Sequence, residues 1–416
     1  MNRFLLLTLL ITSISTFADD CEQTELRLNP QIEHNEAESQ RSYPFLDTRA
    51  NRIEMNGADW SRLRQAFAAA RDSGELFSVV YLGDSHIQAD FSGAVLRARL
   101  AGETTSAGRG LIVPFRLAGT NQPADYTIKL HSDFLSAKLM KMPWAVEMPF
   151  TGIGIQPSPG KAGFEISADE PFAMLRLHFR GERPEITGAR DLELGKSLEY
   201  AFADSTIVLS RPTHRVLIEF DTADATVFGG FELLNGFGGT LVHSVGNNGA
   251  TYSSYANIDR FGPQISSLAP DLVVIALGTN EAFGSISDET LGNDIDNLVG
   301  NIRRHNPDAE IMLVAPAECY RRVYRRRKGR RRRTSVLTVN TKIARIRNVI
   351  SRYAGENGIP FYDTYAVAGG PGSAAKMKAA RVLGSDGVHY TAAGYRMWGS
   401  LLSDAIISAL ETPQNP

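Results

Sequence analysis

Four short polar segments contain residue types that could together hydrolyse an ester. Ser85 lies in "GDSH", Gly249 in "GNNGAT", Asn280 in "GTNE", and His389 in "DGVH", three residues after Asp386. A serine hydroxyl becomes a strong nucleophile when a histidine removes its proton, and that histidine needs an orienting carboxylate. The spacing in "DGVH" lets the carboxylate hold one imidazole nitrogen while the other faces the serine. These residues therefore predict serine esterase chemistry.

The tetrahedral intermediate of such a reaction carries a negatively charged oxygen, which needs hydrogen-bond donors. The predicted donors are the backbone N–H groups of Ser85 and Gly249 and the side-chain amide of Asn280. Glycine suits this position because a bare backbone lets the substrate carbonyl approach closely. Gly246, in the same segment, is the alternative backbone donor.

His86 and Glu281 are predicted to lie at the rim of this site, within reach of a substrate. His86 is not predicted to be the base for Ser85, because adjacent side chains at a helix start diverge. Another interpretation of Ser85 stays open, since serine is a frequent helix N-cap. No group of His, Cys, Asp and Glu has metal-ligand spacing. The glycine-rich segments also lack the Lys-Ser/Thr of a phosphate loop. We therefore expect neither a metal nor a cofactor.

The elements that must position these residues form a strand–helix alternation. Nearly continuous apolar runs, typical of strands buried on both faces of a parallel sheet, occur at residues 76–83, 239–246, 271–278, 310–316 and 359–364. Apolar residues at helical spacing lie between or after these runs. The pattern predicts an α/β fold with a doubly wound, five-stranded parallel sheet. Ligands bind at the carboxyl ends of such strands, so the polar segments should meet on one edge.

Residues 116–235 break this alternation. They contain no convincing helix, and their short strand-like pieces are separated by Gly, Pro, Asp and Ser. This predicts an antiparallel β-sandwich inserted into the α/β domain, which would then comprise residues 51–115 and 236–416. Tyr126, Trp144 and Phe150 are candidates for stacking on a sugar, although burial in the sandwich core is the favoured interpretation for each of them.

The four segments, in this order, resemble the sequence blocks of SGNH (GDSL-type) hydrolases. "GDSHIQAD", followed by "LRARL" and "AGRGLIVP", further resembles the periplasmic peptidoglycan O-acetylesterases of that superfamily. Those enzymes carry an inserted β-sandwich similar to a carbohydrate-binding module between their Ser and Gly blocks. The resemblance implies Ser85 as nucleophile, His389 as base, Asp386 as its orienter, and Gly249 and Asn280 as oxyanion donors.

The resemblance also implies a substrate, the O-acetyl groups of a cell-wall polysaccharide, and peptidoglycan is the polysaccharide that it favours. One alternative keeps the triad but changes the substrate to another acylated surface polysaccharide or a lipid, or replaces hydrolysis by acetyl transfer. A second alternative is a non-catalytic periplasmic glycan-binding protein. The residues themselves support only serine ester chemistry.

The N-terminus predicts export. Arg3 precedes an apolar stretch, and small residues lead up to Ala18, so residues 1–18 are typical of a cleaved signal peptide. A periplasmic location follows, with secretion as the alternative, and residues 19–50 would form an arm. The apolar stretch is shorter than the ~20 residues that span a bilayer, and the mature chain is expected to have no transmembrane helix. Whether Cys21 and Cys319 pair is left open.

An arginine-rich loop is predicted at residues 321–333. It contains ten basic residues and no acidic one, although the whole chain has a net charge of −2. A solvated loop is one interpretation, and contact with an anionic glycan or the cell envelope is another. Nucleic acid is disfavoured, because Tyr324 is the only aromatic residue in the segment and because the predicted signal peptide implies export.

Overall fold

The computed structural model describes residues 43–412, except residue 224 and residues 327–332. Within these ranges the strands are β1 (Ile53–Glu54), β2 (Leu76–Gly83), β3 (Gly110–Ile112), β4 (Tyr126–Leu130), β5 (Phe134–Lys138), β6 (Ile153–Pro157), β7 (Gly160–Arg180), β8 (Glu185–Asp191), β9 (Lys196–Ser197), β10 (Tyr200–Ala203), β11 (Thr206–Thr222), β12 (Val227–Leu234), β13 (Gly239–Gly246), β14 (Leu272–Ala276), β15 (Glu310–Ala315), β16 (Tyr320–Arg326), β17 (Arg333–Val339) and β18 (Phe361–Asp363).

The α-helices in the same ranges are α1 (Ser61–Ser73), α2 (Ser85–Gln88), α3 (Phe91–Glu103), α4 (Tyr252–Ala256), α5 (Phe261–Ile265), α6 (Asp288–His305), α7 (Lys342–Glu356), α8 (Thr364–Val367), α9 (Ser373–Ala379) and α10 (Ala392–Glu411). None of these helices has both the length and the apolar character needed to cross a membrane. The predicted signal peptide and Cys21 lie outside the described residues, and Cys319 is buried.

The parallel α/β sheet predicted from the apolar runs is confirmed. Its strand order is β1-β18-β15-β14-β2-β13, and all neighbouring pairs are parallel except β1 with β18. The five predicted parallel strands are all present, and β1 adds a sixth, antiparallel strand at the edge. This strand has only two residues, Ile53 and Glu54, which is too short to produce a recognisable apolar run.

Both faces of the parallel sheet are covered by helices. Val79 and Tyr81 of β2 pack in one core with α1, α3 and α10, whereas Val80 and Leu82 pack in another with α6 and α7. Successive side chains of a strand point to opposite faces. Burial on both faces therefore explains why the strand sequences show no alternation of polar and apolar residues.

The second sheet is antiparallel and folds into two layers, as predicted for the insert. The long strand β7 pairs with β4 near its start and with β12 near its end, so that it passes from one layer to the other. Phe164 of β7 packs against Phe228 and Phe231 of β12, with ring centroids 5.0 and 4.9 Å apart and the rings edge to face. Strand β3 already pairs with β12, so this sheet starts before residue 116.

Burial, the interpretation favoured for each of the three aromatic candidates, is confirmed for two of them. Tyr126 and Phe150 are buried, with 3% and 2% of their surface exposed. The Tyr126 hydroxyl donates to the carbonyl of Val113. Trp144 is partly buried, and its Nε1 donates to the carbonyl of Leu139. Tyr126 lies in the core of the insert, whereas Phe150 and Trp144 pack in a core that the insert shares with the α/β domain.

The predicted arginine-rich loop also needs a correction, because its described part is an antiparallel β-hairpin. Strands β16 and β17 pair from Tyr320↔Val339 to Arg326↔Arg333. Val and Tyr between the arginines favour an extended backbone, which sequence reasoning underweighted beside the charge. The backbone N–H of Tyr320 donates to the carbonyl of Gly387 at 2.7 Å, so the hairpin starts at the loop that contains Asp386 and His389.

Replacing Phe164 by alanine is expected to lower the free energy of unfolding by about 3–5 kcal/mol, because it removes a buried ring from the aromatic core of the insert. Urea denaturation measures the change. Leu135→Ala is the control, since Leu135 is 55% exposed, and it should cost less than about 0.5 kcal/mol. Equal losses for the two variants would contradict the two-layer core.

Candidate active site

Ser85 is the first residue of α2, and only Asp84 separates it from the end of β2. The side chain of Asp84 accepts a hydrogen bond from the His86 N–H at 2.9 Å, so Asp84, and not Ser85, is the N-cap of this helix. The Ser85 hydroxyl is therefore not used for capping. Its backbone N–H donates to no acceptor in the described part of the chain.

Ser85, His389 and Asp386 are brought together, as predicted. The Ser85 Oγ lies 2.8 Å from His389 Nε2, and His389 Nδ1 lies 2.7 Å from Asp386 Oδ2. Asp386 Oδ1 accepts from the N–H groups of Val388 and His389, which fixes the carboxylate in the loop before α10. Partial burial works to raise the pKa of Asp386, but these hydrogen bonds together lower it below its usual value. The carboxylate is therefore ionised at neutral pH.

The structure distinguishes the two glycines of the "GNNGAT" segment. Gly249 has a φ of +83°, which favours glycine, and its N–H has no acceptor among the described residues. Gly246 has a different role, because a Cβ at Gly246 would overlap the backbone of α2 at Ile87 and Gln88. Gly249 is thus available as a donor, and Gly246 allows β13 to pack closely against the helix of Ser85.

Asn280 connects the other segments. Its Nδ2 donates to Asp84 Oδ2 at 3.1 Å and to the carbonyl of Ala250 at 2.9 Å. Both amide hydrogens therefore have protein acceptors in this structure. Donation to an oxyanion requires Asn280 to share one of these hydrogens with the substrate.

His86 does not contact the Ser85 hydroxyl as a base. Its Nδ1 lies 3.2 Å from the Tyr395 hydroxyl, and its ring packs beside Tyr390. Burial, and to a smaller extent the charge of protonated His389, lower the pKa of His86 to about 3. His86 is therefore neutral at physiological pH and forms one wall beside the triad.

The predicted rim position of Glu281 is wrong. Glu281 is 5% exposed, and its Oε1 accepts from the Tyr252 N–H at 2.9 Å. The short 3-10 helix Glu281–Phe283 turns the side chain inwards, towards α4. Burial raises the pKa of Glu281 to about 7, and burial likewise raises the pKa of Asp84 to about 7. Two carboxyl groups therefore lie beneath the site with little solvent to stabilise their charge.

Sequence reasoning missed Gln88 as a residue of the site. Gln88 is 2% exposed, and its Oε1 accepts from the Asn248 N–H at 2.7 Å. Its Nε2 donates to Thr120 Oγ1 and to the carbonyl of Asn121, both in the insert. Gln88 lies in the segment "GDSHIQAD", but no sequence signal links it to Thr120 and Asn121, which are more than thirty positions away.

Residues 228–397 match the family model described as the GDSL-like lipase/acylhydrolase family. The matched region contains Gly249, Asn280, Asp386 and His389, whereas Ser85 precedes it. A solved structure, "Peptidoglycan O-acetylesterase in action, 5 min", aligns with 86% of this chain and 99% of that chain, with a TM-score of 0.68 and 21% sequence identity. At this identity the likeness establishes the fold.

A second solved structure aligns with a smaller part of the chain. The lipase/acylhydrolase from Enterococcus faecalis aligns with 42% of this chain and 80% of that chain, with a TM-score of 0.30 and 23% identity, which adds nothing to the fold assignment. No curated protein sequence matches the chain significantly.

The family match over residues 228–397 and the fold likeness together support an SGNH-type esterase with a GDSL-like acylhydrolase region. Its architecture, an α/β domain with an additional antiparallel β-domain, resembles that of a peptidoglycan O-acetylesterase over nearly the whole length of the latter. The roles of the individual site residues stay predictions.

Replacing Glu281 by glutamine should change how stability depends on pH. The pKa of Glu281 is raised from an ordinary 4.5 to about 7, so the folded protein keeps a proton that the unfolded chain loses between these values. The free energy of unfolding of the unmodified protein therefore falls as pH rises through this window. Glutamine cannot ionise, so Glu281→Gln should gain stability relative to the unmodified protein, by on the order of 2 kcal/mol between pH 5 and pH 8.

Urea unfolding at pH 5 and pH 8 measures this difference. Glu289→Gln, on the exposed side of α6, is the control and should show the same stability difference at both pH values. If the stability difference between Glu281→Gln and the unmodified protein is also equal at pH 5 and pH 8, Glu281 does not carry a raised pKa.

Proposed function

We propose that the protein is an exported serine esterase that removes O-acetyl groups from a cell-wall polysaccharide, and that this polysaccharide is peptidoglycan. The observation that carries the proposal is the hydrogen-bonded chain from Ser85 Oγ through His389 to Asp386, with successive distances of 2.8 and 2.7 Å. Such a chain supplies both a nucleophile and an oriented base.

The first half of the reaction forms an acyl-enzyme. His389 Nε2 takes the proton of the Ser85 hydroxyl while Oγ attacks the ester carbonyl. Asp386 accepts the hydrogen bond from His389 Nδ1 and stabilises the imidazolium that forms. The N–H groups of Ser85 and Gly249 stabilise the carbonyl oxygen as it gains negative charge, together with a shared hydrogen of Asn280. His389 then donates this proton to the departing sugar oxygen as the bond between the acetyl carbonyl carbon and that oxygen breaks, which releases the sugar hydroxyl.

The second half releases acetate. His389, again neutral, removes a proton from a water molecule whose oxygen attacks the acetyl carbonyl on Ser85. The same donors stabilise the second oxyanion. His389 returns the proton to Ser85 Oγ as the acyl–oxygen bond breaks, and the free enzyme is restored.

The choice of substrate is supported by the architecture and by the exposure of the site. The side chains of His389 and Asp386 are 45% and 49% exposed, so a polymer can reach them without entering a deep cleft. The likeness to a peptidoglycan O-acetylesterase covers 86% of this chain and 99% of that chain, so it extends beyond the α/β domain. Export is supported by the signal peptide predicted from residues 1–18.

The alternatives differ in substrate or in chemistry. Esterase or acetyltransferase action on another acylated polysaccharide or lipid would use the same triad, and release of acetate from defined polymers separates these possibilities. A non-catalytic glycan-binding protein would not need Ser85 and His389 within hydrogen-bonding distance, and this contact favours the enzyme.

Replacing Ser85 by alanine should lower acetate release from O-acetylated peptidoglycan by at least about 10³-fold, because no nucleophile remains. Acetate is measured directly in the supernatant of purified peptidoglycan. Ser73→Ala, an exposed serine at the end of α1, is the matched control and should retain full activity. Equal activity of Ser85→Ala and the unmodified protein would exclude the proposed mechanism.

We further propose that the β16–β17 hairpin contacts an anionic polymer at the catalytic rim, namely peptidoglycan through its stem-peptide carboxylates. The hairpin begins beside Gly387, in the triad loop. Arg321 and Arg322 form no ion pair with a carboxylate within the described residues, and Tyr324 is 64% exposed. A cationic, partly aromatic surface of this kind attracts acidic polymers.

Replacing Arg321 and Arg322 by glutamine should weaken binding to purified peptidoglycan by roughly 10-fold at low salt, with a smaller effect at high salt, because two cationic charges are lost. Co-sedimentation at two ionic strengths measures binding. A second double variant, Arg303→Gln with Arg304→Gln on the exposed face of α6, removes the same charge elsewhere. Equal weakening by both variants would show a general charge effect and no contact through the hairpin.

A further inference from the structure

The turn that contains Gly249 is fixed by residues of the inserted β-domain. Asn247, two residues before Gly249, donates through Nδ2 to the carbonyl of Thr151 at 2.8 Å. Gly152 lies so close that a Cβ at this position would overlap the Asn247 side chain. Asn247 is 3% exposed, so the start of the turn is buried against the insert.

Asn248 is held at both its backbone and its side chain. Its N–H donates to Gln88 Oε1 at 2.7 Å, and its Nδ2 donates to Asn121 Oδ1 at 2.6 Å. Gln88 Nε2 donates to the same Asn121 Oδ1 at 2.9 Å and to the carbonyl of Asn121 at 2.7 Å. Asn121 of the insert therefore bridges the helix of Ser85 and the turn of Gly249.

The far side of the turn also contacts the insert. Met140 Cγ lies 3.7 Å from the position that a Cβ on Gly249 would occupy. The Ser254 hydroxyl, at α4, donates to Met140 Sδ at 3.2 Å. Asn247 and Asn248 thus bond directly to residues of the insert, and Met140 of the insert lies beside Gly249.

We propose that the inserted β-domain positions the Gly249 N–H for the chemical step, with Asn121 as the positioning residue. An oxyanion donor is effective only when its N–H points at the place where the charge develops, within about 0.5 Å. The direction of the Gly249 N–H is set by the peptide plane between Asn248 and Gly249, and Asn121 and Gln88 fix Asn248. This inference rests on the proposed esterase function and gives the insert a role beyond polymer binding.

A small ester separates the two roles of the insert, because it does not extend to a polymer-binding surface. With p-nitrophenyl acetate, Asn121→Ala should lower kcat by about 10-fold or more and change KM by less than about 2-fold. Asn121→Asp keeps an oxygen that accepts from Gln88 and Asn248, and it should restore most of the activity. Gln122→Ala is the matched control, since the Gln122 amide donates only within the insert, to the carbonyl of Tyr126.

An unchanged kcat of Asn121→Ala on the small ester, with lower turnover of peptidoglycan alone, would overturn the inference and leave the insert as a polymer-binding domain. Absence of any ester turnover by the unmodified protein would instead overturn the proposed function. Amide hydrogen exchange at residues 247–250 decides the positioning role in either case. Faster exchange in Asn121→Ala than in Gln122→Ala supports it, and equal exchange overturns it.

Discussion

The hydrogen bond between Ser85 and His389 is the contact on which the rest of the structure depends. It joins residues 304 positions apart, so neither local segment can establish it alone. The parallel sheet fixes one partner, because β2 ends at Gly83 and delivers Ser85 to the carboxyl edge. Helix α10 fixes the other partner: it packs against α3 and the sheet through Trp398 and Leu402, and thereby holds the preceding loop over that edge. The large apolar core on both faces of the sheet therefore serves to keep two side chains 2.8 Å apart.

Beneath the partly exposed pair of Ser85 and His389, buried polar groups hold the oxyanion donors. Asp84 caps the helix of Ser85 and accepts from Asn280, so one carboxyl group orients two of the three donor segments. Burial raises the pKa of Asp84 to about 7. This shift reflects the free-energy cost of ionising a carboxyl group in the protein interior. Gln88 has the same function on the other side, where it connects Asn248 to the insert. The reacting atoms face solvent, while the groups that orient them are shielded from it.

Much of this arrangement could be predicted from the sequence, and physical reasons explain both the success and the failures. The strands of the parallel sheet can be identified because burial on both faces requires continuous apolar runs. Ser85 and His389 can be identified because ester chemistry requires these residue types. Glu281 could not be placed correctly, since its inward direction depends on a short 3-10 helix. The link from Gln88 to Asn121 depends on tertiary packing, which no spacing encodes. Strands β16 and β17 overlap the segment 321–333, which the sequence predicts as a loop because its charge masks the β-forming residues.

The central claim is that Ser85 is a nucleophile activated by His389, and covalent labelling tests it most directly. A small fluorophosphonate reacts with an activated serine and adds one phosphonyl group, which intact mass spectrometry and peptide mapping locate. The account predicts a single adduct, on the peptide that contains Ser85, and loss of labelling in His389→Ala. An active protein that gains no adduct, or gains it on a different residue, would contradict the account.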